Sequence, residues 1–390
     1  MTTMPASGVP APEQAPQQAS AGHARDRRGS PVPTVAMIAT RAMELRKRRG
    51  LMIALSAMSI GFPAVFMLAR LLGHAIAPGT SPPAGGETIF DVLVAGFLPT
   101  FGFIVAATVG CTAGSRDLTE GVFRHLVVTG RSRLALYLAR IPAGLAIVVP
   151  LVAIGYTIVC AVCVFAAPTF VNDSNANIPP GLSRAGFAAW AGTHAHVVIC
   201  DLPYNGPVPG NVACGPGLGG SVSSMPPNQA APPALEALAV TIAKRDYAGY
   251  TAIFRSPPVS LLIEAGLWIE LEATVGLVIG VGLASLMGQR TIPVILLILS
   301  QLMLTPILST LSIPHLQDLQ RLLVGLAMAH LEPSALPIAA GLPGVSGGMS
   351  HPGVASPLLP ESATQACCVV IAWLAAWTIL GAWRMSTRDA

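Results

Sequence analysis

After residue 50 the chain is dominated by long apolar runs separated by short polar breaks. A helix needs about 20 apolar residues to cross a hydrocarbon core of roughly 30 Å, because in lipid every backbone N–H must find its partner within the helix. Six stretches meet that requirement: Leu51–Ala69, Val92–Ala113, Ile141–Phe165, Leu261–Met287, Thr291–Ser312 and Ala363–Trp383. The pattern predicts an all-α polytopic membrane protein with six transmembrane helices. The fourth stretch is the least clean, since Glu264, Glu270 and Glu272 crowd its first half.

The remaining segments have other textures. Residues 1–34 are rich in Pro, Ala, Gln and Arg and carry few large apolar groups, which predicts a disordered tail. In residues 35–50, Val35, Ile38, Met43 and Leu45 lie among basic groups; such a helix rests in the membrane interface or serves as an orientation signal, and the two readings are compatible. Spans one to three occupy 51–167, a loop covers 168–257, spans four and five occupy 258–312, and the last span with its tail covers 363–390. Within 313–362, Leu316, Leu319, Leu323 and Leu326 are in helical phase opposite Asp318 and Arg321, followed by Pro- and Gly-rich chain up to Pro360.

Composition sharpens this picture. Of 390 residues 53% are hydrophobic and only 10% charged, far below the roughly one quarter charged in soluble domains. The net charge of +4 matters less than its distribution. Arg41, Arg46, Lys47, Arg48 and Arg49 precede span one, and Arg116, Arg124, Arg131, Arg133 and Arg140 lie between spans two and three. Arg290 separates spans four and five, and Arg384 and Arg388 follow span six. With six spans all of these fall on one side, which predicts a plasma-membrane protein with both termini cytoplasmic.

The break between spans two and three, GSRDLTEGVFRHLVVTGRSRLALYLAR (114–140), reads as a short helix. Asp117 and Glu120 have capping-box spacing, Leu118, Val122 and Leu126 recur at i+4, and Glu120 to Arg124 is a favourable i, i+4 pair. Gly130 suits the helix end, and Ser132 opens a second helix through Leu134, Tyr137 and Leu138 into span three, with Pro142 as a kink candidate. The apolar stripe rests on lipid or neighbouring helices, or sits in a socket on a soluble partner.

An acidic residue and glycine before a short apolar helix, then Thr-Gly-x-Ser-Arg and a return to the membrane, resembles the cytoplasmic loop of ABC-2 type transporter permeases. The matching residues are Gly121, Phe123, Leu126, Val127, Ser132 and Arg133; Asp117 stands where the family has Glu, Gly130 where many members have Pro, and Val122 where Thr is common. The resemblance implies that 114–133 is a coupling helix docked in a separate ABC ATPase. Phe123, Leu126, Leu118 and Val122 would make the apolar contact, with Glu120, Arg124 and His125 as its polar rim. It further implies an export permease working as a homodimer or with a paired permease, and a re-entrant element before span six, where a surface helix is the other reading. ATP and Mg would belong to the partner, since this chain has no G-x-x-x-x-G-K-[ST] phosphate loop and no catalytic constellation that would make it an enzyme. The competing class is a membrane-embedded sensor or assembly factor whose outer loop binds a ligand.

Three further groups carry chemistry. Glu264, Glu270 and Glu272 either line a substrate path or lie at the outer interface because span four starts later, and the second reading is preferred. Cys200 and Cys214 either stay as thiols or pair, closing a loop of roughly 15 residues worth about 3 kcal/mol. Cys111, Cys160, Cys163, Cys367 and Cys368 read as small packing residues of the spans. His194, His196, Cys200 and Asp201 lack an established metal-ligand spacing and read as surface groups, so no resident cofactor or metal is expected.

Overall fold

The computed structural model describes residues 32–77, 83–119, 132–168, 171–173, 176–195, 197–201, 233–301, 321–334, 336 and 362–387. These are helical except for connections and one small hairpin. In chain order the elements are α1 (Val35–Arg46), α2 (Arg49–Ile76), α3 (Glu87–Ser115, helical on to Thr119), α4 (Arg133–Leu138) and α5 (Arg140–Phe165). Then come β1 (Val171–Asp173), β2 (Ala176–Ile178), α6 (Arg184–Thr193), α7 (Pro233–Arg245) and α8 (Tyr247–Phe254). The series ends with α9 (Val259–Met287), α10 (Thr291–Leu299), α11 (Val324–His330) and α12 (Ala363–Thr387).

Five helices are long and apolar enough to cross a membrane: Arg49–Ile76, Glu87–Ser115, Arg133–Phe165, Val259–Met287 and Ala363–Thr387. They match the expected spans one, two, three, four and six, and the first four begin earlier than the apolar run itself because the helices continue into polar flanks. The expected fifth span is helical from Thr291 through Gln301, and 302–320 lie outside the described residues. This is the architecture of a helical membrane protein.

Helix α9 is the central member: 78% of its most apolar stretch is buried, against 17% for α12 and 22% for α2. It meets α3 along a seam of small residues. A Cβ on Gly110 would collide with the carbonyl of Leu277, and one on Gly280 would lie 2.7 Å from the carbonyl oxygen of Ala107, so the two backbones touch. Close approach of this kind is how helices gain packing where lipid tails are as apolar as leucine. The outer helices turn Ile53, Val65, Leu68, Ile371, Ile379 and Leu380 outward, as a lipid-facing surface requires.

Two π segments, Ala57–Gly61 in α2 and Leu93–Phe97 in α3, each stop just short of a proline, Pro63 and Pro99. A proline supplies no N–H to the preceding turn, and the extra residue absorbs the mismatch. Beside them Phe62 stacks on Phe97 with ring centroids 4.6 Å apart, and Phe97 on Phe101 at 4.1 Å. Ser59 Oγ donates to the Leu151 carbonyl at 2.7 Å, fixing α2 to α5.

The long loop between α5 and α9, where described, is folded. Helices α6, α7 and α8 share a core built on Phe187, Ala191, Ala239, Ile242 and Tyr250. The hairpin β1–β2, in register Val171 with Ile178, is the one departure from helix among the described elements. The module is joined to α3 by Arg255, whose Nε and Nη2 donate to Glu87 at 2.6 and 2.8 Å. That hydrogen-bonded carboxylate raises the Arg255 pKa above its ordinary value.

Candidate intramembrane site

Helix α9 separates the three acids read from the sequence. Residues 270 and 272 lie about 160° apart around a helix of 3.6 residues per turn, so they face nearly opposite sides of α9. Glu264 is exposed, Glu270 is half-buried, and Glu272 is only 4% exposed. The expectation that all three sit at an outer interface is corrected: α9 already begins at Val259, and Glu272 falls at the middle of its 29 residues. Its Oε1 accepts from Gln301 Nε2 at 3.5 Å, the long end of hydrogen bonding, while its Oε2 has no hydrogen-bond partner.

A second buried carboxyl, Glu332, follows α11. The indole N–H of Trp268, one turn before Glu272, donates to the Met328 carbonyl at 3.0 Å. This pins α11, whose Leu326, Ala327 and Met328 are buried, so the described part of the segment is not a surface helix. Glu332 follows in the next turn, 7% exposed, with neither oxygen hydrogen-bonded. Burial, then the negative charges of Glu272 and Asp91, push its carboxyl up to about 9. On the far side Trp373 of α12 donates to the Leu322 carbonyl at 2.7 Å.

Gln301 also lines a cavity of about 30 Å³ together with Phe103, Leu297, Ser300, Val324 and Trp373. The amide of Gln301 thus stands between the Glu272 carboxyl and a water-sized space that neither acid lines. Carboxyls in such surroundings hold a proton or face a cation.

The break between α3 and α4 is described only at its edges. Helix α3 runs on to Thr119, so Asp117 lies inside its last turn and does not open a new helix, which overturns the expected capping box. The backbone of Leu118 belongs to that turn, its side chain is outside the described residues, and so are Glu120, Val122, Phe123, Arg124, His125 and Leu126. At the other edge Ser132 caps α4 by accepting from the Ala135 N–H at 3.1 Å, as expected. Arg133 donates to the Ser386 carbonyl at 3.1 Å. The α4–α5 break falls at Ala139, where Pro142 denies the preceding turn a donor. Arg140, counted from the sequence as a flanking charge, is buried and donates to the Gly114 carbonyl at 2.8 Å and to Ser285 Oγ at 3.4 Å.

Among the remaining candidates, the Cys200 side chain and Cys214 lie outside the described residues. Cys111 and Cys163 are buried, whereas Cys367 and Cys368 are exposed on α12 and do not pack. His194 stacks on Trp190 with centroids 4.5 Å apart, and His196 is outside the described residues.

Gln301, Glu332 and Arg140 were not singled out in the sequence. Glu332 sits in a Pro-flanked stretch with no periodic signal, and only the fold buries it.

No protein-family model matches the chain. No curated protein matches it, and no solved structure does.

Proposed function

We propose that the chain is a permease subunit of an ATP-driven transporter, with the ATPase on a separate polypeptide. Six spans, both termini in the cytoplasm of a plasma-membrane protein, and 114–133 as the coupling helix complete the reading. The supporting observation is Glu272: an acid at the middle of a buried apolar helix, beside the Gln301 amide, is costly and has the chemistry of a path. The ABC-2 assignment rests on Gly121, Phe123, Leu126, Val127, Ser132 and Arg133 in the cytoplasmic break. Export is that family's usual direction, and six spans per chain imply a homodimer or a paired permease.

Closure of two ATPases on ATP would move a docked helix, and the rigid α3–α9 seam would carry the motion to Glu272. The test is co-purification with a candidate ABC ATPase, followed by ATP turnover in nanodiscs. Phe123→Asp is expected to leave the protein in the membrane and to abolish the association. Unchanged co-purification would remove the docking assignment.

A second reading, a sensor, has one observation in its favour. The outer module has its own aromatic core and is joined to α3 through Arg255 and Glu87. Basal ATP turnover by a reconstituted complex decides against it.

A further inference from the structure

Helix α1 is seated on the bundle by one face. Its Met37 is buried with Ala135 and Leu136 of α4 and with Ala139, Ile38 packs against the same group, and Leu45 is buried in the main core. On a helix of 3.6 residues per turn Val35, Ala39 and Met43 fall on another side, where Val35 is 82% and Met43 54% exposed. That apolar stripe runs into charge: Arg46 ends α1, Lys47 caps it, and Arg49 opens α2. All three are exposed, and their side chains have no partner among the described residues. The one acid of α1, Glu44, is 3.0 Å from Arg41. Arg384, in the last turn of α12, is exposed at the same end of the bundle, where Arg133 of α4 donates to the Ser386 carbonyl.

We propose that this face of α1, together with the α1–α2 corner, docks on the anionic phospholipids of one leaflet. The helix α2, long and apolar enough to cross a membrane, begins at Arg49. Joined to it through Lys47 and Arg48, α1 therefore lies beside the headgroups. An apolar stripe that ends in unpaired cations is the complement of acyl chains that end in phosphates. Free phosphate would neutralise the corner and leave Val35 and Met43 in water, so the leaflet is the occupant that satisfies both parts. Met37 and Ile38 then give the contact a reach into the bundle: a leaflet that holds α1 also holds the start of α4, the helix that leads from the 114–133 break into α5.

This surface stands whether or not the chain docks an ATPase, and its test needs none. The full chain is reconstituted in phosphatidylcholine nanodiscs with about 30% phosphatidylglycerol, and a trace of either lipid carries a diazirine on its acyl chain. Peptide mass spectrometry locates the adducts. Labelling of α1 is expected to be at least about threefold higher from the phosphatidylglycerol probe than from the phosphatidylcholine probe. Val65 and Leu68, exposed farther along α2, should take the two probes equally. The excess on α1 should vanish when NaCl is raised from about 0.05 to 0.5 M, which shortens the screening length. It should vanish too in the Arg46→Gln, Lys47→Gln, Arg49→Gln triple variant, and the salt series on the unaltered chain decides the matter if that variant does not fold. Sodium phosphate is expected to compete no better than NaCl of equal ionic strength. Equal labelling of α1 by the two probes overturns the proposal. So does an unlabelled α1 beside a labelled α2, which gives the face to water or a protein, and so does specific competition by phosphate, which makes the corner a site for the free anion. Failure to co-purify with an ATPase removes the transport reading and leaves this surface in place.

Discussion

The α3–α9 seam and the core of the α6–α8 module hold helices together by opposite means. In the seam, glycines bring two backbones into contact, and no large side chain lies between Gly110 and Leu277 or between Gly280 and Ala107. In the module, Phe187 stacks on Tyr250 at 4.1 Å, and Tyr247 and Tyr250 anchor to the carbonyls of Leu182 and Pro179. Water makes burial of large rings the main source of stability. Lipid offers no such gain between helices, and dispersion at the shortest separation takes its place. The two cores therefore report two solvents within one chain.

The contrast can be broken from either side. Gly280→Leu forces a side chain against the Ala107 carbonyl of a neighbour that cannot yield. The loss is expected to exceed the roughly 3 kcal/mol usual for overpacking, read as failure to give a monodisperse protein in detergent. Phe187→Ala should cost about 3 kcal/mol and melt the module alone, seen as proteolysis within 176–255 with the spans intact. Arg140→Ala removes the donor to the Gly114 carbonyl at the inner end of the seam, and about 2 kcal/mol should be lost in a thermal unfolding assay.

Two smaller effects sharpen the comparison. A carboxyl raised to about 9 binds its proton more tightly folded than unfolded. Its stability contribution is full below the unfolded value near 4.5 and is lost as pH rises towards 9. Glu332→Gln should flatten the decline across that window, measured as Tm against pH. Arg255→Ala severs the ion pair to Glu87. Arg255 is 60% exposed there, so the cost should stay below about 1 kcal/mol, with the module more readily exchanging its amides.

Five of the expected spans were legible because their signal is local: about twenty apolar residues announce a helix in lipid wherever they occur. The start of α4 at Ser132 was legible for the same reason, a cap and its helix being neighbours in sequence. The folded state of the α6–α8 module was not, since α6 (RAGFAAWAGT) is short and made mostly of small residues, and its rings find Tyr250 more than 50 residues away. Glu272 was visible as a misplaced charge, but its surroundings were not. They depend on Gln301, which comes from a different element. Arg140 misled because a flanking charge and a buried donor look alike in an apolar sequence.

The short helix α11 and the residue Leu322 just before it are hydrogen-bonded by two indole groups, Trp268 of α9 to the helix and Trp373 of α12 to Leu322. A crosspiece bolted to two posts cannot follow both if they part. A separation of those helices by little more than the stretch of one hydrogen bond leaves α11 with one post only, and Glu332 travels with whichever post it keeps.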